Sequence, residues 1–306
     1  QVGEWRNHPQ PSTFSWIAGA LGWSQEQTHC LGLHARSFEH LTPLLAEGER
    51  FICLLRDGAA AQGIAAWVHD QGWGASRMWL VSQAGSDAQQ MRAGTAEELA
   101  LSLADDPMPA PVAAAFEASG GNGFVQVPGR GIEAFAHDGQ ITKSPVRAMT
   151  LAALAPRSGE RLWDLGAGSG SVAIEWCLAG GKALCVEQHA ERAARIALNA
   201  ARYAVDLQVL QGDSLALLER LAPTPAAVFV GGGFDRALFD ALRARLHAPW
   251  RLVVNAVALE TQALLMELQR QHGGQLLQLQ WSEAVALGRM QSWQAARPVV
   301  QWLWQS

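Results

Sequence analysis

The chain has 306 residues, of which 49% are hydrophobic and 17% charged, enough apolar material for a sizeable core and enough length for two domains. A formal net charge of −5 leaves no basic footprint for nucleic acid, and charges interrupt every Ala-rich apolar run well short of a membrane span. The four cysteines, Cys30, Cys53, Cys177 and Cys185, form no CxxC pair and have no histidine at ligand spacing. They read as buried thiols of a cytoplasmic protein, with no disulfide framework and no metal site. No secretory signal pattern is visible at the start, which agrees with that location. Thirteen tryptophans against one tyrosine point to core packing, with stacking on a large flat ligand as the alternative.

In chain order, Pro11 to Ser15 caps a helix through Trp16, Ile17, Ala20 and Leu21, stopped at Gly22. A short strand, Thr28 to Leu33, precedes His34-Ala35-Arg36. Phe51 to Leu55 is a strongly apolar strand closed by a turn at Asp57-Gly58. A helix over Ile64 to Gln71, a strand over Arg77 to Val81, a helix over Thr95 to Leu103 and a strand over Pro111 to Phe116 complete an α/β first half. His34 and Arg36 could meet an anion, but solvated or capping roles are commoner for such a pair. Five glycines with Asn122 and Pro128 between Ser119 and Gly131 make a linker, so the expected layout is a domain over 1–118, a linker over 119–131 and a domain over 132–306.

The second half opens with a helix, Pro145 to Leu154, capped by Ser144. It continues as alternating strands and helices. The strands are Arg161–Asp164, Ala183–Val186, Leu207–Leu210, Ala226–Val230 and Arg251–Val257. The helices are Val172–Ala179, Glu191–Tyr203, Leu215–Leu221, Asp235–Leu246 and Leu259–His272. Gln275–Trp281 and Val299–Trp304 read as closing antiparallel strands. This alternation predicts a doubly wound sheet, with ligands at the carboxyl ends of its strands.

The sharpest signal is Trp163 to Glu175, WDLGAGSGSVAIE: a strand ending in Asp164, a tight turn through Gly166, Ala167, Gly168, Ser169 and Gly170, then a helix. Glycines let a ligand lie on the backbone, and N–H groups at the helix start can face it. Glu187 ends the next strand about twenty residues on, where a carboxylate would take both ribose hydroxyls of an adenosine-type cofactor. Asp213 follows the strand after that. The turn reads GxGxG with an acid just before it, and so resembles class I S-adenosylmethionine-dependent methyltransferases. A Rossmann-like turn that is empty or binds NAD is the alternative.

His137-Asp138-Gly139-Gln140-Ile141-Thr142-Lys143, the GAGSGSVAIEW run, VFVGGG and Asn255-Ala256-Val257 with Leu259-Glu260 follow one another in order. Together they resemble the decarboxylating precorrin methyltransferases of cobalamin biosynthesis, over residues 132 to 306. Pro11 to Ser15, Leu33 to Arg36, Leu54 to Gly58 and Gly94 to Leu99 resemble the back half of a tetrapyrrole methylase. The fusion resembles the precorrin-6Y C5,15-methyltransferase (decarboxylating) family, in which one domain methylates C5 while the other methylates C15 and removes the C12 acetate carboxylate. The implied fold is a class I methyltransferase Rossmann-like doubly wound sheet, preceded by a partial tetrapyrrole-methylase α/β domain. The Gly-rich and Gly-Asp-Pro segments of an intact tetrapyrrole methylase are not found in this chain. The expectation is that the first half binds no S-adenosylmethionine in the family's way and that this chain does not methylate C5.

The resemblance implies S-adenosyl-L-methionine as cofactor and a precorrin as substrate, with neither nucleic acid nor membrane as partner, and a homo-oligomer, a tetramer by analogy. Gly166, Gly168 and Gly170, with Asp164, Ala167, Ser169 and Gly231, would pass the methionine part; Glu187 takes the ribose; Asp213 and Ser214 lie by the adenine. Asp213 is equally a helix cap, and Thr142 either reaches the cofactor or caps near Ser144. His137, with Asp138 as alternative, is the candidate proton donor for decarboxylation, against a plain structural histidine. Asn255 is a candidate substrate hydrogen-bonder. Lys143, Arg147, Arg236 and Arg289 are candidate partners for substrate carboxylates, against solvated surface charges. Competing readings are a class I methyltransferase on another substrate such as RNA, and a first half that serves only as an assembly module.

Overall fold

The computed structural model describes residues 10–102, 108–247 and 249–306. The chain divides into two compact units, Gln1–Phe124 and Val125–Ser306, so the divide falls within the glycine-rich stretch 119–131.

In the first unit α1 (Thr13–Leu21) begins where the Ser12 hydroxyl accepts the Ser15 amide, and ends at Gly22, whose φ of 69° only glycine takes freely. Strands β1 (Thr28–Gly32), β2 (Arg50–Leu55), β3 (Arg77–Ser82), β4 (Gln90–Thr95) and β5 (Val112–Glu117) form one mixed sheet in the order β1-β2-β5-β3-β4. Cross-strand register sets its packing. Phe51 faces Phe116 and stacks on it at 4.6 Å, while Arg50 faces Glu117 and pairs with it at 2.9 Å.

Two features here differ from the sequence expectation. The helix expected from Ile64 starts earlier, as α2 (Gly58–Val68), because Asp57 is not merely a turn residue: its carboxylate accepts the Ala60 amide at 2.9 Å and caps the helix. Strand β4 was not expected, because the alternation in QMRAGT spans only four residues before Gly94; it exists by pairing with β3 at the sheet edge. Helix α3 (Ala96–Ser102) follows it, and Leu103, the expected end of that helix, lies outside the described residues.

The second unit starts with α4 (Ser144–Leu154). Ser144 does not cap it. Lys143 is the N-cap residue, and the Ser144 hydroxyl donates to the Arg130 carbonyl at 2.7 Å. Then come β6 (Arg161–Leu165), α5 (Ser171–Leu178), β7 (Lys182–Glu187), α6 (Ala190–Arg202), β8 (Leu207–Gln211), α7 (Ser214–Leu217), β9 (Ala227–Val230), α8 (Arg236–Arg245), β10 (Arg251–Ala256), α9 (Leu259–His272), β11 (Gln275–Leu279), β12 (Ser282–Leu287), β13 (Met290–Ala295) and β14 (Val299–Gln305). The seven-stranded sheet runs β11-β14-β10-β9-β6-β7-β8, with β14 antiparallel to both its neighbours and the other six strands, β11 included, running in one direction, so only one of the two closing strands is antiparallel to the rest.

Period-two alternation buries both faces of this sheet. Trp163, Leu184, Val186, Val228 and Val254 face one core with Phe239 and Trp302; Leu162, Ala183, Cys185, Phe229 and Val253 face the other with Trp176 and Ile196. Full burial of each large apolar side chain contributes roughly 1.5–3 kcal/mol. Most of the tryptophans in this unit serve the cores, notably Trp302 and Trp304 against Phe239, with Trp250 against Trp304. Since β6 is central, the chain runs outward to β7 and β8, then returns to β9 on the other side. That makes the β6/β9 boundary the switch point where α/β sheets bind ligands.

The pair β12 and β13 forms a separate antiparallel ribbon turning at Gly288, which the sequence pattern did not announce.

Candidate active site

A cavity of about 1350 Å³ opens over the carboxyl ends of the second unit's strands. The loops after β6, β7, β8, β9 and β10 all reach it, together with residues 131–133 and 140–146 ahead of and within α4 and the base of the ribbon. Thr142, Lys143, Gly166, Ala167, Gly168, Ser169, Glu187, Asp213, Ser214, Gly231 and Asn255 are among its lining residues.

The glycine turn is tied to β7. The Gly166 and Ala167 amides both donate to the Val186 carbonyl, and the Gly168 amide donates to Glu187 Oε2 at 2.8 Å. Gly170 donates to the Ala167 carbonyl. These four amides are therefore spent on the shape of the turn itself. What the cavity meets instead is bare glycine backbone. Gly166 (φ 70°) and Gly170 (φ 72°) need the left-handed conformation, and a Cβ would strike the Gly232 carbonyl oxygen at 2.6 Å from the first and Ile196 Cγ2 at 2.7 Å from the second.

Glu187 is 3% exposed, and its other oxygen accepts the His189 amide at 2.9 Å. Two amide donors fix the carboxylate in place, and each oxygen keeps a lone pair for a diol hydroxyl. Asp213 both lines the cavity and caps α7, accepting the Ala216 amide at 2.9 Å.

Asp164 does not line the cavity. By strand parity it points into the core with Leu162, beside Cys185 and Phe229 on the flanking strands, and is 1% exposed. Neither oxygen gains a hydrogen-bond partner. Burial pushes its pKa up to about 7; the nearby Ala173 amide offsets this in part, and the Glu187 charge adds to it.

The segment 137–140 is a polar turn. His137 Nδ1 accepts the Gly139 amide at 3.0 Å and Asp138 Oδ1 accepts the Gln140 amide at 3.1 Å. Asp138 Oδ2 pairs with Arg192 and Arg195, both at 2.9 Å, and these two partners hold its pKa well below the usual carboxylate range. The Asp138 reading as proton donor is overturned, because it stays ionised. His137 lies outside the cavity lining, its Nδ1 facing its own turn.

The cations divide. Arg147 is fully buried: its Nε binds Glu175 at 3.0 Å, and its terminal nitrogens donate to the Thr142 carbonyl at 2.5 Å and to the Arg130 carbonyl. A substrate carboxylate cannot reach it. Arg236 is engaged by Glu267 and Gln271, and Arg289 sits in the ribbon turn; neither lines the cavity. Lys143 does line it, and so does Arg297, which the sequence reading missed. Also missed were Gln140, Ile141, Arg192, Trp281, Glu283 and Gln294. The last two belong to the ribbon, whose strands mix polar and apolar residues.

Residues 133–306 match the family described as the precorrin methyltransferase domain. A relative from Sinorhizobium sp., precorrin-6Y C(5,15)-methyltransferase [decarboxylating], is 38% identical over 98% of this chain and 73% of its own. The chain belongs to the precorrin methyltransferase family. A Mycobacterium tuberculosis relative with the same description is 34% identical over 96% of this chain and 74% of its own. Among solved structures, the C-terminal domain of precorrin-6Y C5,15-methyltransferase from Rhodobacter capsulatus is 54% identical, with a TM-score of 0.58 over 60% of this chain and 100% of that one. The precorrin-6y C5,15-methyltransferase from Geobacter metallireducens is 27% identical, with a TM-score of 0.52 over 59% and 97%. The enzyme is thus a methyltransferase, and the doubly wound second unit is the family's own fold. No helix among the described residues is long and apolar enough to cross a membrane.

Proposed function

We propose that this chain methylates C15 of a precorrin from S-adenosylmethionine and removes the carboxylate of the C12 acetate, a step of cobalamin biosynthesis. The observation that carries the reading is the buried Glu187 carboxylate, locked to the glycine turn at the switch point of a cavity of about 1350 Å³. That volume exceeds the roughly 300–1,000 Å³ of an ordinary small-molecule site, as a cofactor and a macrocycle together require.

The residues present fit the cofactor. Glu187 accepts the ribose hydroxyls, Asp213 and Ser214 border the adenine, and Gly166 to Gly168 with Gly231 let the methionine part lie on backbone. The cofactor supplies a methyl group bound to a positively charged sulfur. The chain's part is to hold the substrate carbon in line with it, since positioning dominates such transfers. Lys143 and Arg297 line the cavity with no ion pair among the described residues, and we assign them to substrate carboxylates that stay on the product. Trp281, also in the lining, offers a flat apolar face to the macrocycle. When the acetate C–C bond breaks, carbon dioxide leaves, the electron pair enters the conjugated ring, and water supplies the proton that completes the methyl group. Incubating the chain with labelled S-adenosylmethionine and the precorrin, then locating label and carbon dioxide release, tests the reading. Transfer to another position, or none, overturns it.

We also propose that the protein is cytoplasmic, where its four free thiols stay reduced, and that it forms a homo-oligomer through the ribbon. Leu287, Met290 and Trp293 are 61%, 73% and 75% exposed on a two-stranded element that is marginal in water by itself. Sedimentation of Trp293→Ser with Met290→Ser should show a smaller species than the parent; an unchanged mass rejects the ribbon as the contact.

A further inference from the structure

Asn255 ends β10 in the cavity lining, but two buried residues decide which way its amide faces. Its Nδ2 donates to Thr150 Oγ1 at 2.8 Å, and its Oδ1 accepts from Gln301 Nε2 at 2.9 Å. Gln301 lies directly opposite on β14 and also donates to Thr150 Oγ1 at 3.1 Å. The Thr150 hydroxyl gives its own proton to the Val146 carbonyl at 2.8 Å. Thr150 and Gln301 are at most 1% exposed, so water does not substitute for either partner.

Proton counting makes the arrangement directional. With its proton on Val146, Thr150 Oγ1 can only accept, so both neighbours must present N–H groups to it. Turning the two amides over would require the hydroxyl to donate to Asn255, and would set Gln301 Oε1 against Thr150 Oγ1 with no proton between them. That oxygen–oxygen contact at buried positions is costly. Asn255 is therefore left with one unused N–H and one unused lone pair, both in fixed directions.

We infer that Thr150 and Gln301 are positioning residues that hold Asn255 to present a single neutral N–H donor to an oxygen acceptor of the substrate, a carboxylate. This rests on the precorrin reading above. The choice of a neutral donor has a chemical consequence. Lys143 and Arg297 can neutralise carboxylates that remain, whereas Asn255 can orient one without cancelling the charge that carbon dioxide loss must expel.

The test uses the full chain, with S-adenosylmethionine and the precorrin for turnover and S-adenosylhomocysteine for binding. Asn255→Ala should raise the precorrin KM about tenfold, and Gln301→Met and Thr150→Val about fivefold, while the S-adenosylhomocysteine Kd stays within about twofold. Thr150→Ser, which keeps the hydroxyl, should restore a KM near that of the parent. Should Gln301→Met fail to fold, the Val and Ser variants at position 150, differing in that hydroxyl, carry the test. A parent-like KM in Asn255→Ala overturns the contact. A raised KM in Asn255→Ala with parent-like Thr150→Val overturns the positioning role. If the parent binds S-adenosylhomocysteine but never turns over the precorrin, the functional reading falls and the inference with it.

Discussion

Glu187 and Asp164 are adjacent acids with opposite fates. Glu187 is held by two amide donors at the cavity wall. Replacing it with glutamine, in Glu187→Gln, keeps the shape but turns an amide N–H against one of those donors. S-adenosylhomocysteine affinity should fall roughly 10–100-fold, or about 1.4–2.8 kcal/mol, in a calorimetric titration. Unchanged affinity would remove Glu187 from the cofactor site. Asp164 has burial without donors, so the folded chain keeps a proton that the unfolded chain releases. Its contribution to stability therefore falls as pH rises from about 3.8 through about 7, and is fully lost above that. Over that window the loss approaches about 4 kcal/mol as an upper bound, at about 1.4 kcal/mol per pH unit. Asp164→Asn should flatten the pH slope of urea-unfolding stability between pH 5 and 8; an unaltered slope would mean that the carboxyl is ionised in the fold.

At the scale of elements, one buried carboxylate joins α5 to the segment that walls the cavity. Glu175 accepts the Gly129 amide at 2.7 Å, the Arg130 amide at 3.0 Å and Arg147 Nε at 3.0 Å, while Arg147 in turn holds the Thr142 carbonyl. Glu175→Ala would leave Arg147 buried without its partner, at about 3–5 kcal/mol. Chemical denaturation should show that loss, and a change below about 1 kcal/mol would mean the pair contributes only geometry. None of this was visible in GSVAIEW, where Glu175 reads as an ordinary helix acid. The strands and helices from Arg161 to His272 were legible, because apolar periods and glycine stops are local signals. The start of α2 was misplaced, because an Asp-Gly pair signals a turn and a cap alike. The Thr150–Asn255–Gln301 triad was illegible because its partners are distant in sequence and polar residues carry no period that betrays them; β4 and the ribbon pair with near neighbours but bury no stripe that would mark them as strands. Arg147 was misassigned because nothing local distinguishes a buried arginine from a solvated one.

Across the whole molecule, the features assigned to the cofactor lie in a single unit. The glycine turn, Glu187, Asp213 and Gly231 all belong to Val125–Ser306, and that unit has its own two-faced core. The family match covers the same residues, and in a Rhodobacter capsulatus relative the corresponding domain was solved separately from the rest. Titration of the full chain should therefore give one S-adenosylhomocysteine site per chain. A protein comprising residues 125–306 should bind with a Kd within about threefold of the full chain, a difference under about 0.7 kcal/mol. Two sites per full chain would place a second cofactor pocket in Gln1–Phe124. One site that weakens tenfold or more in the shorter protein would mean that the first unit, with its mixed sheet and stacked Phe51–Phe116 pair, supports the cofactor pocket of the second. The first outcome rejects the assignment of all cofactor chemistry to one unit, and the second rejects their independence.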